Sequence, residues 1–368
     1  MKNLIPPHIL QIQPYVPGKP IEEIQRELGL KKIVKLASNE NPLGPSPKAI
    51  EAIKKELNSS HRYPYDDGFY LKRALSGKLD FPMDQIILGG GSTDLIKMIS
   101  HAFLDRQNKA IISEKTFLMY RLAICEVNGK EAIIKVPLKN NYTYDLEGFI
   151  EHLNPKVKLI FIANPNNPTG TMVTEEEVDN FLAKVPEEII VIFDEAYKEY
   201  ITRPDYPDGT KYIRQGKKVI VLRTFSKIYG LAGLRVGYGI SQKEIINVLR
   251  RTKTPFNVPR SSQQGALSAL EDKQHVRKSR ELNFKQREFL QKELTKLGLE
   301  VIPSVANFIM FKTPYPVKKT YSELIKKGVI IRPLEAFEVP EAFRVTVGTP
   351  KENLFFLEKI KEVLNQMS

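Results

Sequence analysis

The run Thr224-Phe225-Ser226-Lys227-Ile228-Tyr229-Gly230-Leu231-Ala232-Gly233-Leu234-Arg235-Val236-Gly237 places one lysine just after two small hydroxyls and eight residues before an arginine. A lysine amine condenses with an aldehyde. Hydroxyls and a guanidinium fork suit phosphate oxygens, and the guanidinium charge does not titrate. The run therefore reads as a seat for an aldehyde that carries a phosphate. Lys227 would hold the aldehyde carbon, and Thr224, Ser226 and Arg235 would hold the phosphate.

Four further segments supply what such a molecule needs. In Leu88-Gly89-Gly90-Gly91-Ser92-Thr93-Asp94 a strand ends, glycines turn and a helix begins. Free N–H groups at Gly91, Ser92 and Thr93, with the positive end of the helix dipole, suit a phosphate. A flexible turn with a helix cap explains the same residues. No Gly-Lys-Ser/Thr follows, and the G-x-G-x-x-G spacing is absent, so neither a Walker loop nor a dinucleotide fingerprint is present. Phe193-Asp194-Glu195-Ala196-Tyr197 ends a buried apolar run, which puts Asp194 at the carboxyl edge of a sheet. An acid there keeps a pyridine nitrogen protonated, and Tyr197 can donate to a phenolic ring oxygen. Taken alone, Asp194 reads equally as a helix cap or an internal ion pair. Asn164-Pro165-Asn166-Asn167-Pro168-Thr169-Gly170 is a rigid loop at the same edge, where Asn167 can present its amide to that oxygen. Phe117 and Tyr120 follow another turn. A ring there can stack on the pyridine or simply fill core. Phosphate donors, a stacking ring, a ring-oxygen donor, a ring-nitrogen acid and an imine lysine thus occur in chain order, each after its own predicted strand. Together they specify pyridoxal 5'-phosphate.

These groups need a scaffold that brings strand ends together. Short apolar runs at 86–88, 110–112, 132–134, 159–162, 189–193 and 219–222 alternate with helical patterns such as Leu95, Ile96, Met98 and Ile99. The alternation predicts an α/β fold with a mostly parallel sheet sandwiched by helices. Thr174 with Glu177 predicts a capping box. After residue 260 a long charged helix over 262–298 is expected. Strands near 305–312, 329–333 and 343–348 and a last amphipathic helix from Lys351 should then form a smaller α+β unit. The division expected is an N-terminal arm at 1–35, a large cofactor-binding domain at 36–260 and a small domain at 261–368. The arm, poor in apolar residues, is expected to pack across the lobes or onto a partner subunit.

Length and composition fit this plan. The chain has 368 residues, enough for two lobes, and ordinary apolar and charged fractions. No apolar run reaches a membrane span, and the first residues lack a secretory signal, so no membrane partner is expected. One cysteine, Cys125, excludes an internal disulfide and points to the reducing cytoplasm. The formal charge of +13 raises nucleic acid as a partner, but the lysines and arginines are scattered. A generic charged surface, or small phosphorylated substrates, fits better. No metal is expected.

On these segments the chain resembles the fold-type I pyridoxal-phosphate-dependent aminotransferases, over nearly its whole length. The resemblance implies that Lys227 is the lysine joined to the cofactor, Asp194 the partner of the pyridine nitrogen, and Asn167 and Tyr197 the ring-oxygen donors. Phe117 falls at the stacking position. Ser92, Thr93, Thr224, Ser226 and Arg235 fall at the phosphate cup. Tyr63, in Arg62-Tyr63-Pro64, is similar to a tyrosine that reaches the phosphate of the other subunit, which implies a homodimer with shared sites. Within the family, Tyr15-Val16-Pro17-Gly18-Lys19-Pro20, 36–42, Ile331-Arg332-Pro333 and 343–348 resemble the histidinol-phosphate aminotransferases. That branch implies Arg332 and Arg344 as holders of the substrate's anionic end, with Tyr15 near its phosphate. It also implies transamination between histidinol phosphate and 2-oxoglutarate, the reverse of the biosynthetic direction that makes histidine. Aromatic amino-acid aminotransferases and a phospho-amino-acid decarboxylase share the scaffold and remain as alternatives. Lys115 stands where relatives often carry proline.

Overall fold

The computed structural model describes residues 4–10, 12–14 and 20–367. Its first strand, β1 (Val34–Lys35), belongs to the smaller lobe. The expected apolar runs become β2 (Ile86–Gly89), β3 (Lys109–Ser113), β4 (Ile133–Val136), β5 (Val157–Ala163), β6 (Ile190–Asp194) and β7 (Val219–Thr224). With β8 (Gly237–Ile240) they make one seven-stranded sheet in the order β2-β8-β7-β6-β5-β3-β4. Neighbours are parallel except at β8, which runs antiparallel to both β2 and β7.

Strand side chains alternate between two cores, as a period of two requires. Ile160, Ile162, Val191, Phe193, Val219 and Val221 share one core with helices Phe69–Leu79, Glu175–Lys184 and Arg260–Glu271. Leu159, Phe161, Ile190, Ile192, Ile220 and Leu222 share the other with helices Ser92–Phe103, Leu118–Asn128 and Lys243–Thr252. Burial on both faces explains why these strands are continuous apolar runs. The predicted capping box is present: the Glu177 N–H donates to the Thr174 hydroxyl, and Glu177 accepts from the Thr174 N–H at 2.8 Å.

Two elements differ from expectation. Strand β8 has no apolar run, because Gly237 and Gly239 occupy alternate positions where neighbouring structure comes close. A Cβ at Gly237 would lie 2.9 Å from the Arg223 carbonyl oxygen and 3.0 Å from the Ser92 nitrogen. The charged helix expected over 262–298 is two helices, Arg260–Glu271 and Lys273–Lys296. Asp272 breaks it: its backbone leaves the helical region, and its carboxylate caps the second helix by accepting from His275 N–H at 3.1 Å.

The smaller lobe is an antiparallel sheet of β9 (Glu300–Ile302), β10 (Phe308–Lys312), β12 (Arg332–Pro333) and β13 (Ala342–Thr346), in the order β12-β13-β10-β9. The short strand β11 (Val329–Ile330) pairs in parallel with β1. Helices Lys273–Lys296 and Pro350–Met367 cover it, and Val34 and Leu36 join its core. The chain after β1 then crosses towards the large sheet. Leu36 O accepts from Thr346 N–H, and Asn39 N–H donates to the Thr346 hydroxyl. Strands β5, β6 and β7 thus point their carboxyl ends at the gap between the lobes, where open α/β sheets bind ligands.

Candidate active site

A cavity of about 320 Å³ occupies that gap. Ser92, Thr93, Phe117, Asn167, Asp194, Tyr197, Thr224, Ser226, Lys227, Arg235, Arg332 and Arg344 all line it. Residues predicted from separate segments are therefore neighbours: most sit at or just past a strand end of the large sheet, while Arg332 and Arg344 come from strands of the smaller lobe.

Asp194 is the last residue of β6 and is 4% exposed. Burial pushes its carboxyl up to about 6, opposed by two donors. The Tyr120 hydroxyl donates to Oδ2 at 3.0 Å, and the Ala196 N–H donates to Oδ1 at 3.2 Å. Tyr120 is thus not at the cavity wall. It is fully buried, stacks on Phe161 and supports the acid, while Phe117 alone of the pair lines the cavity.

The three asparagines of the 164–170 loop divide their tasks. Asn164 bonds the backbone of Val173 in both directions. Asn166 joins Thr116, Tyr144, Thr169 and the Lys115 carbonyl, which ties the segment before Phe117 to this loop. Asn167 alone lines the cavity. Its Oδ1 accepts from Arg344 Nη1. A guanidinium can only donate, so the Asn167 amide N–H group is left for a ligand. Tyr197 is held similarly: its hydroxyl accepts from Asn39 Nδ2 at 3.0 Å, which leaves the phenolic proton to donate. Burial raises the Tyr197 phenol, with Arg344 opposing, so it stays protonated.

At the opposite end, helix Ser92–Phe103 begins directly after Gly91, whose φ is 87°. No side chain caps this helix, so its first N–H groups have no capping partner, and Ser92 and Thr93 line the cavity. Asp94 steadies the turn by accepting from the Gly90 N–H and from Asn257, both at 2.8 Å. Arg235 lies across the turn, donating to the Gly90 carbonyl at 3.1 Å and to Ala232 at 3.0 Å. Gly91 is needed for this approach: a Cβ there would lie 2.6 Å from Arg235 Nη2. Thr224 and Ser226 are joined by a 3.0 Å hydroxyl contact. Donors therefore surround a space fit for a phosphate.

Between the two ends stands Lys227. Its Nζ donates to the Ser38 carbonyl at 3.2 Å and lies 5.6 Å from the Tyr197 ring centroid. Burial, then the Arg344 charge, pushes its amine down to about 8, with Glu40 opposing. A substantial neutral fraction near physiological pH suits a nucleophile and a base.

Arg332 and Arg344 come from the smaller lobe, on neighbouring strands, and face each other as register partners. Like charges directly opposite are destabilising, so the pair is a natural anion site. Arg344 is 5% exposed and fixed by Asn167, by the Ala37 carbonyl at 2.8 Å and by the Phe308 and Phe337 rings. Arg332 is half-buried at the cavity.

Tyr63 is not brought to this cavity. It is exposed and stacks on Phe256 with centroids 4.6 Å apart, beside other exposed aromatics, Tyr65, Phe69 and Tyr70. Tyr15 lies outside the described residues. Sequence reasoning assigned no individual role to Ala37, Ser38 and Asn39, which form the cavity floor, or to Leu118, Met119 and Phe337. The one local signal was that Asn39, with φ 55°, is a residue type that tolerates the left-handed region.

The fold and the site together define an aminotransferase. Residues 31–360 match the family model "Aminotransferase class I and II", and the chain belongs to that family. It is 45% identical to the histidinol-phosphate aminotransferase of Caldicellulosiruptor saccharolyticus, over 97% of this chain and 99% of that protein. It is 43% identical to the enzyme of that name from Moorella thermoacetica, over 97% and 92%. Among solved structures, histidinol-phosphate aminotransferase from Sinorhizobium meliloti in complex with pyridoxal-5'-phosphate matches with a TM-score of 0.89 at 25% identity, covering 99% of this chain and 98% of that one. The donor set fits that cofactor: phosphate donors at one end, a buried acid at the other, and an amine of lowered pKa between them.

Proposed function

We propose that this chain exchanges the amino group between histidinol phosphate and 2-oxoglutarate, acting in histidine biosynthesis in the reverse direction, from imidazole acetol phosphate and glutamate. The paired arginines beside Lys227 carry the reading. Forked guanidinium donors can hold either a phosphate or a carboxylate, so one site can hold both amino donors in turn.

Pyridoxal phosphate supplies an aldehyde for the substrate amine and a ring that accepts the electrons released at the substrate carbon. The rest falls to the residues. Ser92, Thr93, Thr224, Ser226 and Arg235 hold the phosphate, with the Gly91 turn supplying backbone donors. Asp194 would hold the proton on the ring nitrogen, and Asn167 and Tyr197 would donate to the ring oxygen. Phe117, at the cavity wall, would flank the ring. Lys227 binds the aldehyde carbon. Its amine, near pKa 8, is suited to take and return a proton at the substrate carbon. Arg344, fixed by its neighbours, and the more exposed Arg332 grip the anionic end. Tyr15 is assigned to the substrate phosphate on resemblance alone.

The exposed aromatic group around Tyr63 supports a homodimer in which Tyr63 reaches the phosphate of the second subunit's cofactor. Among the described residues no helix is long and apolar enough to cross a membrane. The cytoplasm is the assigned compartment. Steady-state kcat/KM for histidinol phosphate and for phenylalanine, each with 2-oxoglutarate, tests the substrate. Preference for histidinol phosphate supports the proposal; preference for phenylalanine moves the enzyme to the aromatic branch. Carbon dioxide release without 2-oxoglutarate would mark a decarboxylase.

A further inference from the structure

The wall of the cavity contributed by the smaller lobe includes Phe337, the last residue of the short turn Glu335–Phe337. Phe337 is 5% exposed, and its ring centroid lies 5.8 Å from the Arg344 guanidinium carbon. The turn therefore bears both on the space left for a substrate and on the arginine that would grip it.

The next residue, Glu338, closes this turn with φ 63°. That left-handed conformation is disfavoured for a residue with a Cβ, and glycine is the usual occupant. The side chain at this disfavoured position does something a glycine cannot. Its Oε1 accepts from Arg121 Nη1 at 2.9 Å and from Lys135 Nζ. Arg121 lies on helix Leu118–Asn128, whose first residues line the cavity, and Lys135 lies on β4. The triad thus joins the smaller lobe to the large one at the cavity rim. Behind it the two rims nearly meet. The space between Phe117, Leu118, Arg121, Lys135 and Phe337 is only about 10 Å³, room for one water at most. Strain at a single residue and a cross-lobe ion triad coincide beside the substrate wall.

We infer that Glu338 is a positioning residue for the amino substrate: its ion pairs to Arg121 and Lys135 latch the 335–338 turn and so hold Phe337 against the cavity. This rests on the cavity being the substrate site proposed above. Each of the three groups is about a third exposed, at 35–37% of its side chain, so the latch is also screened by salt.

The test compares wild-type holoenzyme with Glu338→Gln and Glu338→Gly, using whichever amine the wild type converts. Glu338→Gln removes the charge and keeps the side chain's length, while Glu338→Gly removes the side chain at a position whose φ suits glycine, so that it should still fold. Both variants should raise KM for the amine roughly fivefold, which is about 1 kcal/mol for two partly exposed pairs, with kcat and cofactor affinity unchanged. Phe337→Ala should raise KM as well. Adding Glu338→Gln to it should change nothing more, because the latch acts through that ring. Unchanged KM in both Glu338 variants, or full additivity with Phe337→Ala, would overturn the latch. Failure of the wild type to convert histidinol phosphate would instead overturn the substrate assignment and leave the latch to be read with the amine it does use.

Discussion

Replacing Tyr120 with Phe removes one oxygen and tests what keeps Asp194 charged. The Tyr120 ring is buried and stacked on Phe161 at 5.0 Å, so the variant keeps its packing. What it loses is the 3.0 Å hydrogen bond to Asp194 Oδ2. A hydrogen bond to a charged group is worth about 1.5–3 kcal/mol. At 1.36 kcal/mol for each pH unit, the carboxyl midpoint should rise by roughly one to two units. Burial already places that midpoint at about 6, so the change carries it to neutrality or beyond. The ionised form is the one that holds a protonated ring nitrogen. A protonated ring nitrogen beside Asp194 lowers that midpoint in the loaded enzyme, so the acid limb of activity lies below it, and the variant should still lose activity at higher pH than the wild type. The assay is the acid limb of kcat/KM, with a carbon NMR titration of the Asp194 carboxyl in cofactor-free protein as an independent readout. Both should move upward together. If neither moves, the Tyr120 hydroxyl does not sustain the charge, and the argument from burial and donors fails.

Lys227→Ala should abolish turnover while still binding cofactor through the phosphate donors, as absorbance and dialysis will report; unchanged rates would remove Lys227 from the mechanism. Gly237→Ala should weaken cofactor binding at least tenfold, because the new methyl meets backbone at 2.9–3.0 Å on the turn that receives the phosphate. Unaltered affinity by equilibrium dialysis would mean that the turn can yield. Arg223→Leu should cost about 3–5 kcal/mol in urea unfolding, since it leaves the buried Glu195 carboxylate without its 2.8 Å partner. A loss under 1 kcal/mol would show that Lys198 and the Gly209 N–H suffice.

Much of this arrangement is legible in the sequence for one physical reason. Strands buried on both faces are unbroken apolar runs, and their ends are where polar residues reappear. Asp194 and Thr224 therefore announced both a strand end and a site. Strand β8 was hidden because its alternate glycines serve the phosphate turn rather than a core. The break at Asp272 was hidden because a single capping aspartate interrupts an otherwise helical pattern. The loop reading singled out Asn167, which lines the cavity, but the roles of Asn164 and Asn166 were hidden because their partners lie elsewhere in the chain. Tyr120 read as a possible stacking ring, but its hydroxyl partner lies 74 residues away at the end of β6. The facing of Arg332 and Arg344 depends on the register of β12 with β13, which no local pattern records.

The most direct test of the proposed activity is a single half-reaction. Purified protein loaded with pyridoxal phosphate is mixed with histidinol phosphate or, separately, with phenylalanine, and the cofactor's visible absorption is followed. The account predicts rapid conversion to the pyridoxamine form with histidinol phosphate and little with phenylalanine. Conversion by phenylalanine alone would contradict the substrate assignment. Failure of the loaded protein to show the absorption of a lysine-bound cofactor would contradict the role given to Lys227.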